Sequence, residues 1–303
     1  MKNDDQNYLM EILAKVHDRT GFDFTQYKDA TLIRRIKTRL RRLNIATYKD
    51  YIGILDSDDG EYYELINTIT INVTEFFRNV DSFKAIEELV VPALIESKRK
   101  RRHHLFRIWS CACSDGDEAY SMAILLKEQL QKQGGGYTIR VTGSDIDEEA
   151  LGRARKGSYE KTRLKAVNRE LLDQYFEEVE EGVFRIKGCI RDIVKFRQHD
   201  IIKDRAIRHN DIILCRNLLI YFNKQLQEET LLKLYECLNP GGFLILGMCE
   251  TLVGSALERF EGVNNRLRIY RRPSSIDPAD RSDEGSATLS QQDVDKLVGE
   301  ILD

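Results

Sequence analysis

The segment Asp211-Ile-Ile-Leu-Cys-Arg-Asn-Leu-Leu-Ile-Tyr-Phe222 puts groups able to hold a ligand directly after an apolar run of strand length. Polar residues that follow a buried parallel strand sit at the carboxyl edge of the sheet, where open α/β folds bind ligands. A core strand with a solvated end reads the same way when it stands alone, so the neighbouring strand ends decide. After an earlier strand comes Cys113-Ser-Asp-Gly116, a small-residue turn that lets a ligand approach backbone at a helix start. After the next strand comes Asp145, an acid placed to hold two ribose hydroxyls. No GxGxxG loop accompanies it, which argues against a dinucleotide, and no GKS/T sequence supports a P-loop ATPase. A nucleoside-type ligand with a positive centre needs few phosphate donors and fits better. S-adenosylmethionine is such a ligand.

These strand ends need a sheet to hold them. From about residue 76 the pattern alternates, with strands at Phe106–Ala112, Tyr137–Gly143 and 211–215 and helices through Leu130, around Ala150, Leu151 and Ala154, and from about 224 to 238. Such alternation predicts a doubly wound sheet. A turn at Asn239-Pro-Gly-Gly242 precedes the last strands, Phe243–Met248 and Arg266–Tyr270. Residues 160–197 break the rhythm, and Gly182-Val-Phe-Arg-Ile-Lys with Ile193-Val-Lys-Phe predict a short antiparallel insertion. Residues 1–75 read as a helical domain, because Leu9, Ile12, Leu13 and Val16, then Leu32, Ile36, Leu40 and Leu43, recur at helical spacing. The domain boundaries are therefore 1–75, 76–272 and 273–303.

Composition excludes more than it selects. At 303 residues with a net charge of −3, the chain has room for a proper core and no charge bias toward a partner class. No apolar run reaches membrane-spanning length, and Met1-Lys-Asn-Asp-Asp has no signal-peptide core, so a cytoplasmic protein without membrane insertion is expected. The six scattered cysteines and five histidines lack metal-site spacing, and buried free thiols with no metal are expected. From Asp277 onward eight acidic residues face two basic ones, a net of −6, in linker composition. The second helix carries Arg34, Arg35, Lys37, Arg39, Arg41 and Arg42 without an acid among them. Like charges three and four apart repel, so an acidic partner surface is expected beside the ordinary alternative of a solvated face. Aromatics do not interleave the cations, which weakens a nucleic-acid reading.

The motifs Asn72-Val-Thr-Glu-Phe-Phe-Arg78, Ile108-Trp-Ser-Cys-Ala-Cys-Ser-Asp-Gly-Asp-Glu-Ala-Tyr-Ser121, Ser144-Asp-Ile-Asp147 and Cys215-Arg-Asn-Leu-Leu-Ile-Tyr-Phe222 together resemble the CheR family. Gly247-Met-Cys-Glu250 resembles that family's GHSE segment, and the likeness runs from about residue 5 to 272. It implies a Rossmann-like S-adenosylmethionine-dependent methyltransferase sheet with a small β insertion, preceded by an all-α N-terminal domain. The implied activity is methylation of glutamate side chains on chemotaxis receptors, which yields S-adenosylhomocysteine. By resemblance, Asn72, Thr74 and Arg78 line the cofactor, Glu118 and Asp145 contact its methionine and ribose ends, and Asp200-Ile201 lie at the adenine. Asn217 and Leu218 complete the pocket, while Arg78 and Tyr221 act on the substrate carboxylate. Arg34, Arg35, Arg39 and Arg42 are the implied contacts to receptor cytoplasmic helices.

Three departures stand out. The family's STGEEPYS is Ser114-Asp-Gly-Asp-Glu-Ala-Tyr-Ser121 here, with Asp115 for threonine, Asp117 for glutamate and Ala119 for proline. The stretch between Phe176 and Val183 is short, which argues against docking on a receptor's C-terminal pentapeptide. The tail Leu289-Ser-Gln-Gln-Asp-Val-Asp-Lys-Leu-Val298 resembles the LSQxEIDxLL peptide of the flagellar switch protein FliM, which implies a CheY-like receiver as partner through 289–301. Two other classes remain open at this level: a catalytically weak scaffold that binds cofactor and a receiver, and a methyltransferase of nucleic acid or another protein. The absence of an NPPY-type motif argues against base amino-methylation.

Overall fold

Amphipathic helices open the chain: α1 (Asn3–Thr20), α2 (Asp29–Arg42), α3 (Tyr48–Ser57) and α4 (Asp59–Thr70). The computed structural model describes residues 3–70 and 74–274. Leu9, Ile12, Leu13 and Val16 of α1 share a buried core with Leu32, Ile36 and Leu40 of α2 and with Tyr51, Leu55, Leu65 and Ile69. Their three- and four-residue spacing puts one face of each helix against the others. The structure corrects the reading of the basic helix at Arg39, which turns inward. Its Nε and Nη2 donate to Glu61 at 2.8 and 2.6 Å, and its Nη1 donates to Glu64 at 3.1 Å. The Tyr51 hydroxyl donates to the same Glu61 carboxylate at 2.5 Å. The acid absent from the 34–42 run is supplied by α4, a pairing that spacing along α2 could not reveal. Arg34 and Arg42 remain exposed and Arg35 is half-buried.

Helix α5 (Val80–Ala85) passes through a π turn at Ile86–Val90 into α6 (Val91–Arg101). The alternating part follows as β1 (Leu105–Cys111), α7 (Asp117–Lys132), β2 (Thr138–Asp145) and α8 (Glu148–Lys156). Next come β3 (Ser158–Glu160), α9 (Arg169–Tyr175), β4 (Phe176–Glu180), β5 (Val183–Ile186) and α10 (Gly188–Arg191). The chain continues with β6 (Val194–Gln198), β7 (Asn210–Cys215), α11 (Lys224–Cys237), β8 (Leu238–Leu246), α12 (Ala256–Arg259), β9 (Glu261–Asn264) and β10 (Ile269–Arg271). Among the described residues the main sheet has seven strands in the order β6-β2-β1-β7-β8-β10-β9. The first five are mutually parallel, and β10 is antiparallel to both of its neighbours, β8 and β9. Strand order reverses between β1 and β7, so a crevice opens beyond their carboxyl ends.

Strand alternation sorts the core. Phe106, Ile108, Ile212 and Leu214 face one layer of helices, while Trp109, Cys111, Ile213 and Cys215 face the other. Asp211 at the start of β7 accepts from the Arg107 N–H at 2.8 Å and from Asn239 Nδ2 at 2.9 Å, and pairs with Lys98 Nζ at 2.8 Å. Its charge fixes the register of β7 on β1 at the edge away from the crevice. Among the described residues, no helix is long and apolar enough to cross a membrane.

Four expectations are corrected. Ile193-Val-Lys-Phe belongs to β6, the parallel edge strand on β2, and not to the antiparallel insertion. The small sheet is instead β3-β5-β4, spanning Ser158–Ile186. Both strands carry similar alternating patterns, and only pairing assigns them. The 239–242 turn is absorbed into β8 as an irregularity, with Leu238 opposite Asn210 and Phe243 opposite Ile212. Of the thiols expected to be buried, Cys189 and Cys249 are exposed.

The Arg39–Glu61 pair yields a stability prediction. Arg39→Ala leaves a buried carboxylate without its cation, and urea unfolding should show a loss of about 3 kcal/mol or more. Arg42→Ala, on the exposed face, should change stability by less than about 0.5 kcal/mol. Equal effects from the two would overturn the assignment.

Candidate active-site cleft

The crevice beyond β1 and β7 is a cavity of about 260 Å³. Its floor is formed by chain leaving three adjacent strands: Ala112, Cys113 and Ser114 after β1, Asp145 and Ile146 after β2, and Arg216, Asn217 and Leu218 after β7. Thr74, Glu75 and Arg78 wall one side and Tyr221 another. Gly116 has φ +88°, and a side chain there would strike Phe196 and Ala154 at under 3 Å, so the turn that opens α7 requires glycine. Asn217 also has a left-handed backbone, φ +63°. Glu250 secures that turn: its Oε2 accepts from the N–H groups of Asn217 at 2.9 Å and Gly247 at 2.6 Å. A Cβ on Gly247 would lie 2.6 Å from Glu250 Oε2, which explains the glycine.

Arg216 is the electrostatic centre. Its side chain is 2% exposed, and Nη1 pairs with Glu118 Oε2 at 3.2 Å. Nη2 donates to the Arg78 carbonyl at 2.8 Å and to Asn79 Oδ1 at 2.6 Å. Glu118 also accepts from Ser110 Oγ at 2.7 Å. Asp145 accepts from the Ser114 N–H at 2.7 Å and the Asp147 N–H at 3.0 Å. Burial lifts its carboxyl to about 6, even though these N–H groups favour the charge. Burial likewise raises the Tyr221 phenol, opposed by the positive charges of Arg35, Arg78 and Arg34. The phenol therefore stays protonated at neutral pH and can donate.

Of the residues singled out from sequence, Thr74, Arg78, Glu118, Asp145, Asn217, Leu218 and Tyr221 line this one cleft. Asp200 and Ile201 line an adjoining hollow of about 40 Å³ that shares Tyr27, Ala112, Asp145, Ile146 and Leu218 with the first. Asn72 lies outside the described residues. Arg34 and Arg42 line neither hollow. Sequence reasoning missed Tyr27, Arg216 and Glu250. Arg216 and Glu250 stand inside the quoted motifs, from which neither received a role. Tyr27 had no signal, because nothing in the sequence joins it to Tyr221. In the fold its ring stacks on Tyr221 at 6.3 Å, and the Lys28 N–H donates to the Tyr221 carbonyl at 2.8 Å.

The two hollows suit a polar nucleoside with an extended arm. Ser114 lines the cleft and His199 the second hollow; the Ser114 hydroxyl and His199 Nδ1 are buried and without a hydrogen-bond partner among the described residues. A buried polar atom left unpaired costs about 1–3 kcal/mol, which a bound ligand can recover. Asp145, between the hollows, suits vicinal hydroxyls, and Glu118 suits a cationic amine. Among the described residues, no cluster of three or more His, Cys, Asp or Glu is arranged to hold a metal.

Comparison with known proteins agrees with this geometry. Residues 9–70 match the family described as CheR methyltransferase, all-alpha domain, and residues 72–269 match CheR methyltransferase, SAM binding domain. The chain is 32% identical over 250 residues to the chemotaxis protein methyltransferase of Salmonella typhimurium, covering 80% of this chain and 83% of the relative. It is 32% identical over 259 residues to that of Escherichia coli, covering 83% and 86%. A Listeria innocua chemotaxis protein methyltransferase is 31% identical over 250 residues, covering 82% and 92%. With a helical part, a nucleoside-shaped crevice at the strand-order reversal and both family matches in the same chain order, the chain belongs to the CheR family, the S-adenosylmethionine-dependent methyltransferases of chemotaxis receptors.

Proposed function

We propose that this protein esterifies receptor glutamate side chains in the cytoplasm, with Arg78 and Tyr221 orienting the carboxylate and Glu118 and Asp145 holding S-adenosylmethionine. The observation that carries this reading is that Arg78, Tyr221, Glu118 and Asp145, far apart in sequence, line a single cleft. S-adenosylmethionine, when bound, supplies an electrophilic methyl group on a sulfonium. A glutamate of ordinary pKa, about 4.3, is ionised at neutral pH and needs no base. The protein's task is therefore alignment, which can contribute roughly 7–11 kcal/mol. The protonated Tyr221 donates a hydrogen bond to the incoming carboxylate, and Arg78 offers it positive charge. Tyr27, stacked on Tyr221, limits the rotation of the phenol and screens it from water.

Arg34, Arg35 and Arg42 on α2 then present a cationic approach to acidic receptor helices, which the electrostatic influence of Arg34 and Arg35 on Tyr221 supports. Arg39 takes no part, since Glu61 and Glu64 hold it. Receiver binding through 289–301 falls outside the described residues, and its support is the sequence Leu289-Ser-Gln-Gln-Asp-Val alone. In that segment Val294, Leu297, Val298 and Ile301 would form one apolar stripe, fit for a groove on a partner.

Labelled methyl transfer to receptor cytoplasmic fragments should give base-labile ester counts. Tyr221→Phe should lower kcat about 10- to 100-fold, the effect of losing a hydrogen bond to a charged group. Arg78→Ala should abolish detectable transfer. Full turnover in either variant would remove that residue from the mechanism. Affinity for S-adenosylhomocysteine should weaken as pH falls through about 6, because protonation converts Asp145 from acceptor to donor. An ordinary aspartate would produce this loss only near pH 4. Calorimetry across pH 5–8 (a range of about three units) should show Asp145→Asn binding weakly and with a flatter profile. A phosphorylated receiver should be retained by the full chain and lost by a chain ending at Arg272; equal retention would remove the tail from the interaction.

A further inference from the structure

The loop acids Asp115 and Asp117, which stand where the family motif has threonine and glutamate, are 5% and 0% exposed. Neither lines the cleft. Both are met by Arg163, which lies in the short 3-10 turn Lys161–Leu164 at the foot of the insertion. Arg163 Nη1 donates to Asp115 Oδ2 at 2.6 Å, Nε donates to Asp117 Oδ1 at 3.0 Å, and Nη2 donates to the other Asp117 oxygen. Arg153 Nε on α8 donates to Asp115 Oδ1 at 2.9 Å. The guanidinium lies over the Tyr159 ring at 5.3 Å, and the Tyr159 hydroxyl donates to the Asp115 carbonyl at 2.7 Å. Two carboxylates this deeply buried require such a partner, since an unpaired charge there is strongly destabilising.

The backbone of the same residue acts on the segment that carries Thr74 and Arg78. The Arg163 carbonyl accepts from the Phe76 N–H at 3.1 Å. A second tie runs alongside: the Phe77 N–H donates to Ser121 Oγ at 2.9 Å, and that hydroxyl donates to the Asp117 carbonyl at 2.6 Å. One residue therefore grips, by its side chain, the loop that carries Ser114 and Glu118. By its carbonyl it grips the segment that carries Thr74 and Arg78. We propose that Arg163 is a positioning residue, which locks the 113–118 loop to the 74–78 segment so that the β insertion sets the affinity of the cleft for its adenosyl ligand. The proposal rests on that ligand occupying the cleft. It also accounts for the shortened acid and the new acid of the loop: together they match the two-sided fork of an arginine. A lysine supplies the charge as a point and cannot bridge both carboxylates in fixed geometry.

The test compares the full-length wild type with Arg163→Lys and, separately, Asp115→Asn. S-adenosylhomocysteine affinity is measured by calorimetry at a temperature where circular dichroism shows every protein folded, and amide hydrogen exchange is followed in the ligand-free state. Arg163→Lys should bind about tenfold or more weakly, the scale expected when supported groups shift by a fraction of an ångström. Exchange should quicken in the 74–78 and 113–118 segments together while the α1–α4 helices keep their protection. Asp115→Asn, which keeps the Asp117 half of the fork, should show the same pattern to a smaller degree. Affinity within twofold of wild type, with both segments still protected, would overturn the proposal and leave Arg163 as a charge partner only. A wild type that does not bind S-adenosylhomocysteine would sink the ligand reading instead, and the exchange result would then decide the lock by itself.

Discussion

Arg216 is the cation on which the cleft depends. It leaves β7 at the point where strand order reverses and reaches Glu118 at the start of α7 and the backbone of Arg78 on the facing wall. Three segments distant in sequence thus converge on one guanidinium, buried and lying over the Phe83 ring at 5.6 Å. A buried arginine needs partners for its charge, and here a carboxylate, a carbonyl and an amide oxygen take Nη1 and Nη2, while Nε has no hydrogen-bond partner among the described residues. Because those partners belong to the walls of the cavity, satisfying the charge and shaping the site are the same event. Glu250 plays the complementary part from the loop after β8, accepting the N–H groups of Asn217 and Ile220 in the turn that follows Arg216.

The helical part reaches the cleft through the segment between α1 and α2. Tyr27 bridges to Phe222, the Asn223 N–H donates to the Gln26 carbonyl at 3.0 Å, and Lys28 Nζ donates to the Ile220 carbonyl at 2.9 Å. These bonds place the basic helix next to the phenol of Tyr221. The helical part is thus tied to the mouth of the cleft by a few hydrogen bonds and one isolated bridge. Charge that looked uniform along α2 is divided by the fold: Arg39 is spent on internal acids while Arg34 and Arg42 face solvent.

The strands β1, β2 and β7 and the acids at their ends were legible in sequence, because apolar runs of strand length followed by polar residues reflect burial and its abrupt end. The motif residues Thr74, Arg78, Glu118, Asp145, Asn217 and Tyr221 could be named from the resemblance, and the fold brings them to one cavity. The assignment of β6 failed for a physical reason: alternation says that a strand has two faces, but not which sheet it joins. Tyr27 was invisible for a related reason, since its partners lie nearly two hundred residues away.

By itself the sequence determined the class and order of the main elements, β1, α7, β2, α8, β7 and α11, and the chemistry available at the ends of those strands, all properties of short stretches of chain. Only the tertiary structure decided which charges pair. Arg39 with Glu61, Arg163 with Asp115 and Asp117, and Arg216 with Glu118 each join residues from different elements. Burial removes water as the alternative partner, so each cation must find an acid wherever packing delivers one. That choice depends on three-dimensional proximity, which spacing along the chain does not encode.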